Sequence, residues 1–472
     1  TGGPGHWGGA IYANEGADLS IEDTVFHENH ASGDGGAVYS WNSNVTIAGC
    51  TFTENTATFE GGSIWISSGG MADISGSSFT DSSARGGGAI GGQSAADRLV
   101  ELVITDCIFT GNETNGTDTS PDWGHWGGAV LAVDCEVSIT GCEFKSNAAD
   151  FGGGLYAYRS SVVLEDSEFS LNDVYWDGGG IMLRSVQEST VSNCLFSENE
   201  GYTGGAVMFL DVAVDNAVFQ SCSFTANEVN TEGGTPSPVG GAVNLSQSSP
   251  RFIDCDFDGN TSTNTGGAID ANNNSMPRFD DCQFTMNSAT GAGNAARSDS
   301  GSDLLFAGTT ICNNGLDQVS GTFTDLGDNC ISEFCDRDND GTLDCVDGCP
   351  EDPDKIDPGQ CGCGIEDVDT DEDGIADCVD PCPNWPYDCS EDGQTILVAV
   401  EQSIQDAINA APADGIVDIA AGTFTPVGSI DPGGKAVTIQ GAVDDVGVLL
   451  TTIDAEASGS VMVFQSGEGP ET

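Results

Sequence analysis

The chain has 472 residues, including 66 glycines and 18 cysteines, and its 75 Asp and Glu residues against 11 Lys and Arg residues give a formal charge of −64. Nucleic acids and anionic membranes bind basic protein surfaces, so this charge excludes both as partners. No run of about 18 apolar residues is present, and the sequence therefore predicts no membrane-spanning segment.

The first 300 residues repeat one pattern, in which a Gly-Gly-Ala-Ile/Val element is followed by Cys-x-Phe-x-x-Asn. The phenylalanine recurs about every 29 residues, a period typical of solenoids. The phenylalanine column comprises Phe26, Phe52, Phe79, Phe109, Phe144, Phe169, Phe196, Phe224, Phe257 and Phe284. The residue three positions later is Asn29, Asn55, Asn112, Asn147, Asn172, Asn199, Asn227, Asn260 or Asn287, with Ser82 as the exception.

Apolar residues within one period come in short bursts of period two, which is typical of β-strands. Val45 and Ile47 form one such pair and Cys50 and Phe52 form the next, with a break in parity between them. Together with the Gly-Gly-Ala-Ile strand, this pattern predicts three strands and three turns per period. No period has the apolar spacing of an amphipathic helix. The predicted fold class is all-β, a right-handed parallel β-helix.

Stacked coils give each recurring residue a physical role. We expect a phenylalanine ladder inside and an asparagine ladder at a turn, where Asn tolerates left-handed dihedrals and its amide bonds the neighbouring coils. Glycine pairs allow a positive φ at the tight corner. The combination of Phe-x-x-Asn with Gly-Gly-Ala-Ile/Val resembles the polymorphic-outer-membrane-protein repeat of bacterial surface β-helices, over roughly residues 1–300.

Seven cysteines lie two residues before the phenylalanine column: Cys50, Cys107, Cys142, Cys194, Cys222, Cys255 and Cys282. Because ladder Cβ vectors run parallel, we expect buried thiols, with bridges between adjacent coils, such as Cys194 to Cys222, as the alternative.

Aromatic residues precede several glycine pairs: Trp7, Phe59, Trp126, Phe151, Trp176 and Tyr202. They form either a stripe that stacks sugar rings or a cover for a glycine-rich corner. The repeated His6 and His125 are interpreted as structural.

The sequence contains no metalloprotease, nucleophile-elbow or phosphate-loop motif. Arg251 and Arg278 occupy equivalent positions in successive periods and could pair with a uronate carboxylate, but they more readily offset local acids such as Asp254 and Asp280. We therefore expect a protein that is not an enzyme.

After Asn287 the repeat weakens, and residues 304–335 are predicted to close the solenoid with a disulfide. Two acidic loops follow, with oxygen ligands at loop positions 1, 3, 5, 9 and 12, glycine at position 6 and a carbonyl at position 7, as Ca²⁺ requires. The predicted Ca²⁺ ligands are Asp336, Asp338, Asp340, Thr342, Asp344 and Asp347, and Asp369, Asp371, Asp373, Ile375, Asp377 and Asp380. The loops resemble thrombospondin type 3 repeats. A merely acidic linker is the competing interpretation.

Eight cysteines from Cys335 to Cys389 lie among these loops, in a segment too poor in apolar residues to fold around a core. We expect disulfides and Ca²⁺ to hold it, with a zinc site as the alternative.

Residues 403–411 predict an amphipathic helix, and strands are predicted at 416–420, 436–439 and 461–464. This resembles the N-terminal cap of a secreted β-helix. The predicted domains are 1–330, a β-helix; 331–393, a calcium and disulfide linker; and 394–472, the capped start of a second β-helix.

These features predict an extracellular, cell-surface protein with a structural or adhesive role. Its expected partners are other copies of itself, head to tail, or neighbouring β-helix domains, with glycans as an additional candidate. The chain opens within a repeat and its last residues start a second β-helix, which is consistent with one unit of a tandem array or a fibre stiffened by calcium. A truncation between unrelated domains is the competing interpretation. The alternative function is that of a polysaccharide-binding or polysaccharide-degrading, pectinase-like enzyme.

Overall fold

The computed structural model describes residues 6–115, 125–229, 238–386, 388–454, 456 and 460–462. The chain divides into two compact units, residues 1–335 and residues 336–472. The first unit is a parallel β-solenoid in which every strand pairs with the equivalent strands of the coils before and after it. This confirms the predicted right-handed parallel β-helix.

Two of the long sheets, named sheet A and sheet B, each contain 12 strands. The strands of sheet A, which follow the glycine pairs, are Ile11–Asn14, Val38–Trp41, Ile64–Ser67, Ile90–Gln93, Val130–Val133, Leu155–Tyr158, Ile181–Arg184, Val207–Leu210, Val243–Ser246, Ile269–Asn272, Ala296–Ser298 and Val319–Ser320. The strands of sheet B are Asp18–Glu22, Asn44–Ala48, Gly70–Ser75, Val100–Thr105, Glu136–Thr140, Ser161–Glu165, Ser189–Ser192, Ala217–Gln220, Arg251–Ile253, Arg278–Asp280, Leu304–Ala307 and Phe323–Asp325.

Sheet C carries the phenylalanine column, and a short sheet D follows it in each coil. The strands of sheet C are Val25–His27, Thr51–Thr53, Ser78–Thr80, Ile108–Thr110, Glu143–Lys145, Glu168–Ser170, Leu195–Ser197, Ser223–Thr225, Asp256–Asp258, Gln283–Thr285, Thr310–Cys312 and Cys330–Ile331. The strands of sheet D are His30–Ala31, Thr56–Ala57, Ser83–Ala84, Glu113–Thr114, Ala148–Phe151, Asp173–Asp177, Glu200–Gly201, Glu228–Val229, Thr261–Ser262 and Ser288–Ala289. Most coils therefore have four strands and not the three expected. The strands of sheet D were not predicted because most of them have only two residues, which is too short to show a periodicity.

The interior is a continuous stack of like side chains. Neighbouring rings of the phenylalanine column are parallel, with centroids 4.4 to 5.2 Å apart from Phe26 to Phe284. This spacing is close to the distance between paired strands, so each ring covers the next with no gap. The column is fully buried beyond its first member.

The asparagine column joins the coils through side-chain hydrogen bonds. The Asn172 side-chain amide donates to Asn199 Oδ1 at 2.9 Å and to the carbonyl of Phe144 at 2.9 Å. The left-handed residue of this turn is the one before the asparagine, such as Leu171 with φ 55°. The expectation that the asparagine itself takes this conformation is wrong, because the asparagine side chain points inward to bridge the coils.

The two glycines of each pair have different roles. Gly35 has φ +68°, a conformation that favours glycine. Gly36 has no positive φ, but a Cβ on it would lie 1.9 Å from the carbonyl oxygen of Gly62 in the next coil. The second glycine therefore permits close stacking of successive corners.

The described free cysteines are all buried in the first unit: Cys50, Cys107, Cys135, Cys142, Cys194, Cys222, Cys255 and Cys282. All of them except Cys135 form the column two residues before the phenylalanines, which therefore consists of thiols, and their S–H groups donate to nearby carbonyls, as from Cys50 to Ala48 at 3.4 Å. The solenoid also runs past Asn287, where it was expected to weaken, because Phe306, Ile311 and Asn314 continue the interior columns. A disulfide joins Cys312 to Cys335 in this last part.

The second unit contains the acidic loops and a small helix-capped sheet. Disulfides join Cys349 to Cys363, Cys361 to Cys378 and Cys382 to Cys389. The helix spans Ile404–Ala410, with Ser403 as its N-cap. Parallel strands lie at Thr395–Val398, Gly415–Ile419 and Val437–Gly441, and a second pair at Gly422–Phe424 and Thr451–Ile453. Of the strand expected at 461–464, residues 463 and 464 lie outside the described residues.

No helix in the described ranges combines the length and the apolar character needed to cross a membrane. Disulfides persist in oxidising compartments, and their number here indicates a protein from outside the cytosol.

We predict that Phe196→Ala lowers the free energy of unfolding by about 3–5 kcal/mol, because it opens a cavity in a continuous ring stack. The matched control is Leu195→Ala, whose side chain lies on the outer face of the same strand and should cost less than about 1 kcal/mol. Urea unfolding followed by circular dichroism measures both. Equal losses in the two variants would contradict the assignment of Phe196 to the interior.

Candidate functional site

Sheet A has an apolar cluster on its outer side, separate from the interior core. The second residue of each sheet A strand points outward, yet Tyr39, Trp65, Tyr156 and Met182 are all buried. Rings from neighbouring strands and corners cover one another there. We name this outer surface, with the corner residues that precede the glycine pairs, the sheet A face.

The corner residues form their own column along the sheet A face. They are Trp7, Asp34, Glu60, Gly86, Trp126, Phe151, Asp177, Thr203, Val239 and Thr265. Trp126 stacks on Tyr156 at 5.7 Å, and Trp7 stacks on Tyr39 at 5.6 Å. These rings pack over the glycine-rich corner, as the second interpretation expected, and a role in stacking sugar rings stays a prediction.

A glutamate and an arginine interrupt the aromatic column. Arg85 Nε donates to Glu60 Oε1 at 3.2 Å, and its Nη2 donates to the same oxygen. The Arg85 guanidinium also lies 5.2 Å from the centre of the Phe59 ring. Burial raises the pKa of Glu60 and nearby Asp34 raises it further, while the ion pair with Arg85 opposes the shift.

A histidine and an aspartate face this pair from the following coils. His125 Nδ1 lies 2.9 Å from Asp150 Oδ2, and the histidine is only 6% exposed. A carboxylate accepts hydrogen bonds, so Nδ1 carries a proton and donates it to Asp150. The backbone supports this arrangement, since the His125 carbonyl accepts from the amide of Asp150 at 3.1 Å.

Two buried atoms of this group lack hydrogen-bond partners within the described part of the chain: Glu60 Oε2 and His125 Nε2. Gly86 lies between their two coils, and a Cβ there would lie 2.3 Å from Glu60 Oε2. We name this group, formed by Glu60, Arg85, His125 and Asp150 beside Gly86, the polar cluster. A buried polar atom without a partner destabilises a fold by about 1–3 kcal/mol.

A second acid lies further along the same column. Asp177 Oδ1 accepts a hydrogen bond from Thr203 Oγ1 at 2.6 Å. Burial raises the pKa of Asp177 to about 6, and the threonine opposes that shift. Acids with raised pKa values are typical of proton-transfer sites.

The polar cluster was not predicted from the sequence. It interpreted His125 as structural, and Glu60, Arg85 and Asp150 belong to no recognisable motif. The only available signal was that the corner column changes from aromatic to charged residues at these positions. Arg251 and Arg278, by contrast, both form ion pairs with Asp280 on the outer face of sheet B.

The structure brings part of the predicted calcium ligands together. Ligand oxygens of Asp336, Asp338 and Asp340 lie within 4.8 Å of one another, and those of Asp369, Asp371 and Asp373 do the same. The amides of Thr342 and Ile375 donate to Asp340 and Asp373 at 2.7 and 2.8 Å. Asp344 and Asp377 instead accept hydrogen bonds from the backbone amides of Arg337 and Thr370, respectively, both at 2.8 Å.

The loops also bury carboxylate oxygens without partners. Oδ2 of Asp338 and of Asp347 is buried and unpartnered among the described residues, and Asp371 and Asp380 repeat this in the second loop. Asp347 is 9% exposed, and its other oxygen accepts from the amide of Cys349 at 2.7 Å. Desolvation, followed by repulsion from Asp340, raises the pKa of Asp338. Crowded carboxylates with free oxygens suit a hard cation.

The stacked coils define a β-helix protein with an apolar cluster on the outer side of sheet A. The chain matches the family described as a right handed beta helix region over residues 6–121 and 103–284, more than half its length, and it belongs to that family. No curated protein sequence matches the chain.

Two solved structures are similar to it. The periplasmic alginate epimerase AlgG is 10% identical, with a TM-score of 0.44 over 68% of this chain and 76% of that chain. A mutant of the PL6 family alginate lyase AlyGC is 11% identical, with a TM-score of 0.25 over 93% of this chain and 66% of that chain. At these values, the likenesses carry no argument about substrate.

The expectation that the protein is not an enzyme is contradicted by this comparison, in which the similar structures are an alginate epimerase and an alginate lyase. That expectation rested on missing sequence motifs. A solenoid can assemble a site from residues of several coils, and such a site leaves no short motif in the sequence.

We predict that Asp177→Asn becomes more stabilising as the pH rises. The folded-state pKa of about 6 exceeds the ordinary value of 3.8, so the contribution of Asp177 to stability is lost as pH rises between these values. The free energy of unfolding of the variant, relative to the wild type, should increase by about 1–3 kcal/mol from about pH 4 to about pH 7. Urea unfolding at both pH values, with exposed Glu168→Gln as control, checks this. A difference that stays constant with pH would contradict it.

Proposed function

We propose that the chain is an extracellular polysaccharide-binding and polysaccharide-modifying β-helix protein, which takes a glycan along the sheet A face. The observation that carries the proposal is the combination of stacked aromatic rings with buried acid and imidazole groups on one continuous surface.

Aromatic side chains suit sugar rings because each offers a flat apolar surface beside polar groups. Trp126 and Tyr158 are partly exposed there, and the Arg159 guanidinium lies 4.4 Å from the centre of the Tyr158 ring. Coils repeat at about 4.8 Å, so equivalent groups recur along a straight line. A linear polymer can contact several of them at once.

Acid–base chemistry is available at the same surface. Glu60 and Asp177 have raised pKa values caused by burial, and His125 has a free ring nitrogen. Groups of this kind can donate or accept a proton in reactions at sugar carbons or glycosidic oxygens. Structural or adhesive roles, and assembly into an array or fibre, stay predictions, since no observation on the described residues favours them over a role on glycans.

The test is a binding and turnover screen against a panel of neutral and acidic polysaccharides, read by affinity electrophoresis and by formation of reducing ends. We predict that Trp126→Ala weakens binding by about tenfold, the loss of roughly 1.4 kcal/mol expected for one stacked ring. Phe323→Ala, an exposed ring on a sheet B strand, is the matched control. If no polysaccharide binds, or if both variants bind like the wild type, the proposal fails.

A second proposal concerns the second unit: its two acidic loops each bind Ca²⁺. The supporting observation is the repeated pair of buried, unpartnered carboxylate oxygens, from Asp338 and Asp347 and from Asp371 and Asp380. The carboxylates that meet in each loop repel one another, and a divalent cation would remove that repulsion. The bound ion would then stiffen a segment that has little apolar core.

We predict that chelation exposes residues 336–380 to protease while residues 6–300 stay protected, because repulsion between carboxylates expands the loops. Titration with Ca²⁺ in a calorimeter should show two sites, and Asp338→Asn should remove one of them. Asp388→Asn, outside both loops, is the control. Identical protease sensitivity with and without chelator would rule the proposal out.

A further inference from the structure

The two acidic loops of the second unit share a sequence pattern but lie in different surroundings. We name residues 336–347 the first loop and residues 369–380 the second loop. Each loop runs into a Cys-Pro turn, at Cys349 and at Cys382, in which the amide three residues after the cysteine donates to the cysteine carbonyl at 2.9 Å. That third residue is Asp352 in the first turn and Trp385 in the second. Equivalent turns therefore carry a carboxylate in one copy and an indole ring in the other.

The indole ring belongs to the small sheet at the end of the chain. We name as the capped sheet the strands Thr395–Val398, Gly415–Ile419 and Val437–Gly441 with the helix Ile404–Ala410. Trp385 is 3% exposed and lies in the apolar core of the capped sheet. Cys382 lies in the same core, and its disulfide partner Cys389 pairs with Ile396 of the first strand. The turn after the second loop is therefore part of the capped sheet.

The same turn also holds two carboxylates of the second loop. The amide of Cys382 donates to Asp380 Oδ1 at 2.7 Å. Desolvation and the neighbouring carboxylate of Asp373 raise the pKa of Asp371, and a hydrogen bond from the backbone amide of Trp385 opposes that shift. Asp371 and Asp380 are also the two residues of this loop with a buried Oδ2 that has no partner among the described residues. Two of the carboxylates that suit a cation are thus bonded to residues of an apolar core.

The first loop has no such connection within the described ranges. Asp347 accepts from the amide of Cys349 at 2.7 Å, but Cys349 forms its disulfide with Cys363, and neither cysteine belongs to the core of the capped sheet. Asp338 accepts from the amide of Asp340 within its own loop. The first loop therefore offers the same set of carboxylates without the link to the sheet.

We infer that Ca²⁺ in the second loop controls how readily the capped sheet opens, through Trp385 and Cys382, and that Ca²⁺ in the first loop does not. This inference rests on the proposed calcium binding and deepens it, because it names what that binding regulates. Repulsion between the carboxylates of an empty loop acts on Asp371 and Asp380, which hold the turn by hydrogen bonds. A bound cation removes this repulsion, and its binding free energy then stabilises the sheet to which the loop is joined.

Hydrogen exchange of the full chain, followed by mass spectrometry with Ca²⁺ and with chelator, tests the inference. At a free Ca²⁺ concentration about ten times the Kd, we expect amides of Thr395–Val398 and Gly415–Ile419 to exchange about tenfold more slowly than with chelator. Asp371→Asn should abolish this difference, and Asp338→Asn, at the equivalent position of the first loop, should retain it. A difference that survives in Asp371→Asn, or is lost in Asp338→Asn, would overturn the inference.

Variants of the indole ring test the route of the coupling. Trp385→Ala should leave Ca²⁺ binding detectable by calorimetry but reduce its effect on exchange in the capped sheet to less than about threefold, whereas Trp385→Phe should retain most of the effect because a ring still fills the core. The comparison of Asp371→Asn with Asp338→Asn changes no residue of that core, so it remains decisive even if Trp385→Ala unfolds the sheet. An undiminished effect of Ca²⁺ in a folded Trp385→Ala would contradict the assigned route.

The outcomes also separate this inference from the proposed calcium binding. If calorimetry shows Ca²⁺ at both loops while exchange in the capped sheet is the same with and without the ion, the inference alone fails. If neither loop binds Ca²⁺, the proposed calcium binding fails and the inference fails with it.

Discussion

The register between coils is the constraint on which the first unit depends. Each residue pairs with its equivalent about 4.8 Å away, so a side chain that suits the interior in one coil must suit it in the next. Phenylalanine meets this requirement by parallel stacking, as between Phe144 and Phe169 at 4.4 Å. Asparagine meets it because one amide can donate to the next asparagine and to a carbonyl of another coil, as Asn172 does. The inward positions are thereby fixed, and only outward positions and corners are free to carry a function.

The same constraint explains how much of the fold the sequence predicts. Interior columns repeat, so Phe26 to Phe284 and the inward pairs such as Val45 and Ile47 could be assigned from their period alone. The strands of sheet D could not, since two residues are too few for an alternation. The last coils were missed because Ile311 takes the phenylalanine position there. The residue with left-handed dihedrals differs in type between coils, for example Leu171 in one and Glu198 in the next, so the repeated pattern does not identify it.

The candidate site was far less predictable because its residues are distant from one another in the sequence. Glu60 and His125 are far apart in sequence, and the coil between them contains an insertion, so no fixed spacing relates them. They lie near each other only because their coils stack on either side of Gly86. The acidic loops are the opposite case, since their carboxylates lie within a few residues of one another and local geometry brings them together. Whether these loops hold Ca²⁺ stays a prediction.

The solenoid also explains how unsatisfied groups can persist on its surface. A buried acceptor without a partner costs about 1–3 kcal/mol. A solenoid spreads its stability over nearest-neighbour contacts, so the stacked columns beneath one coil can offset a local loss at its corner. Glu60 and His125 lie directly outside coils whose interiors are filled by Phe52, Phe79 and Phe144. The stacked interior columns therefore stabilise the coils enough to tolerate unpartnered polar atoms at the corner.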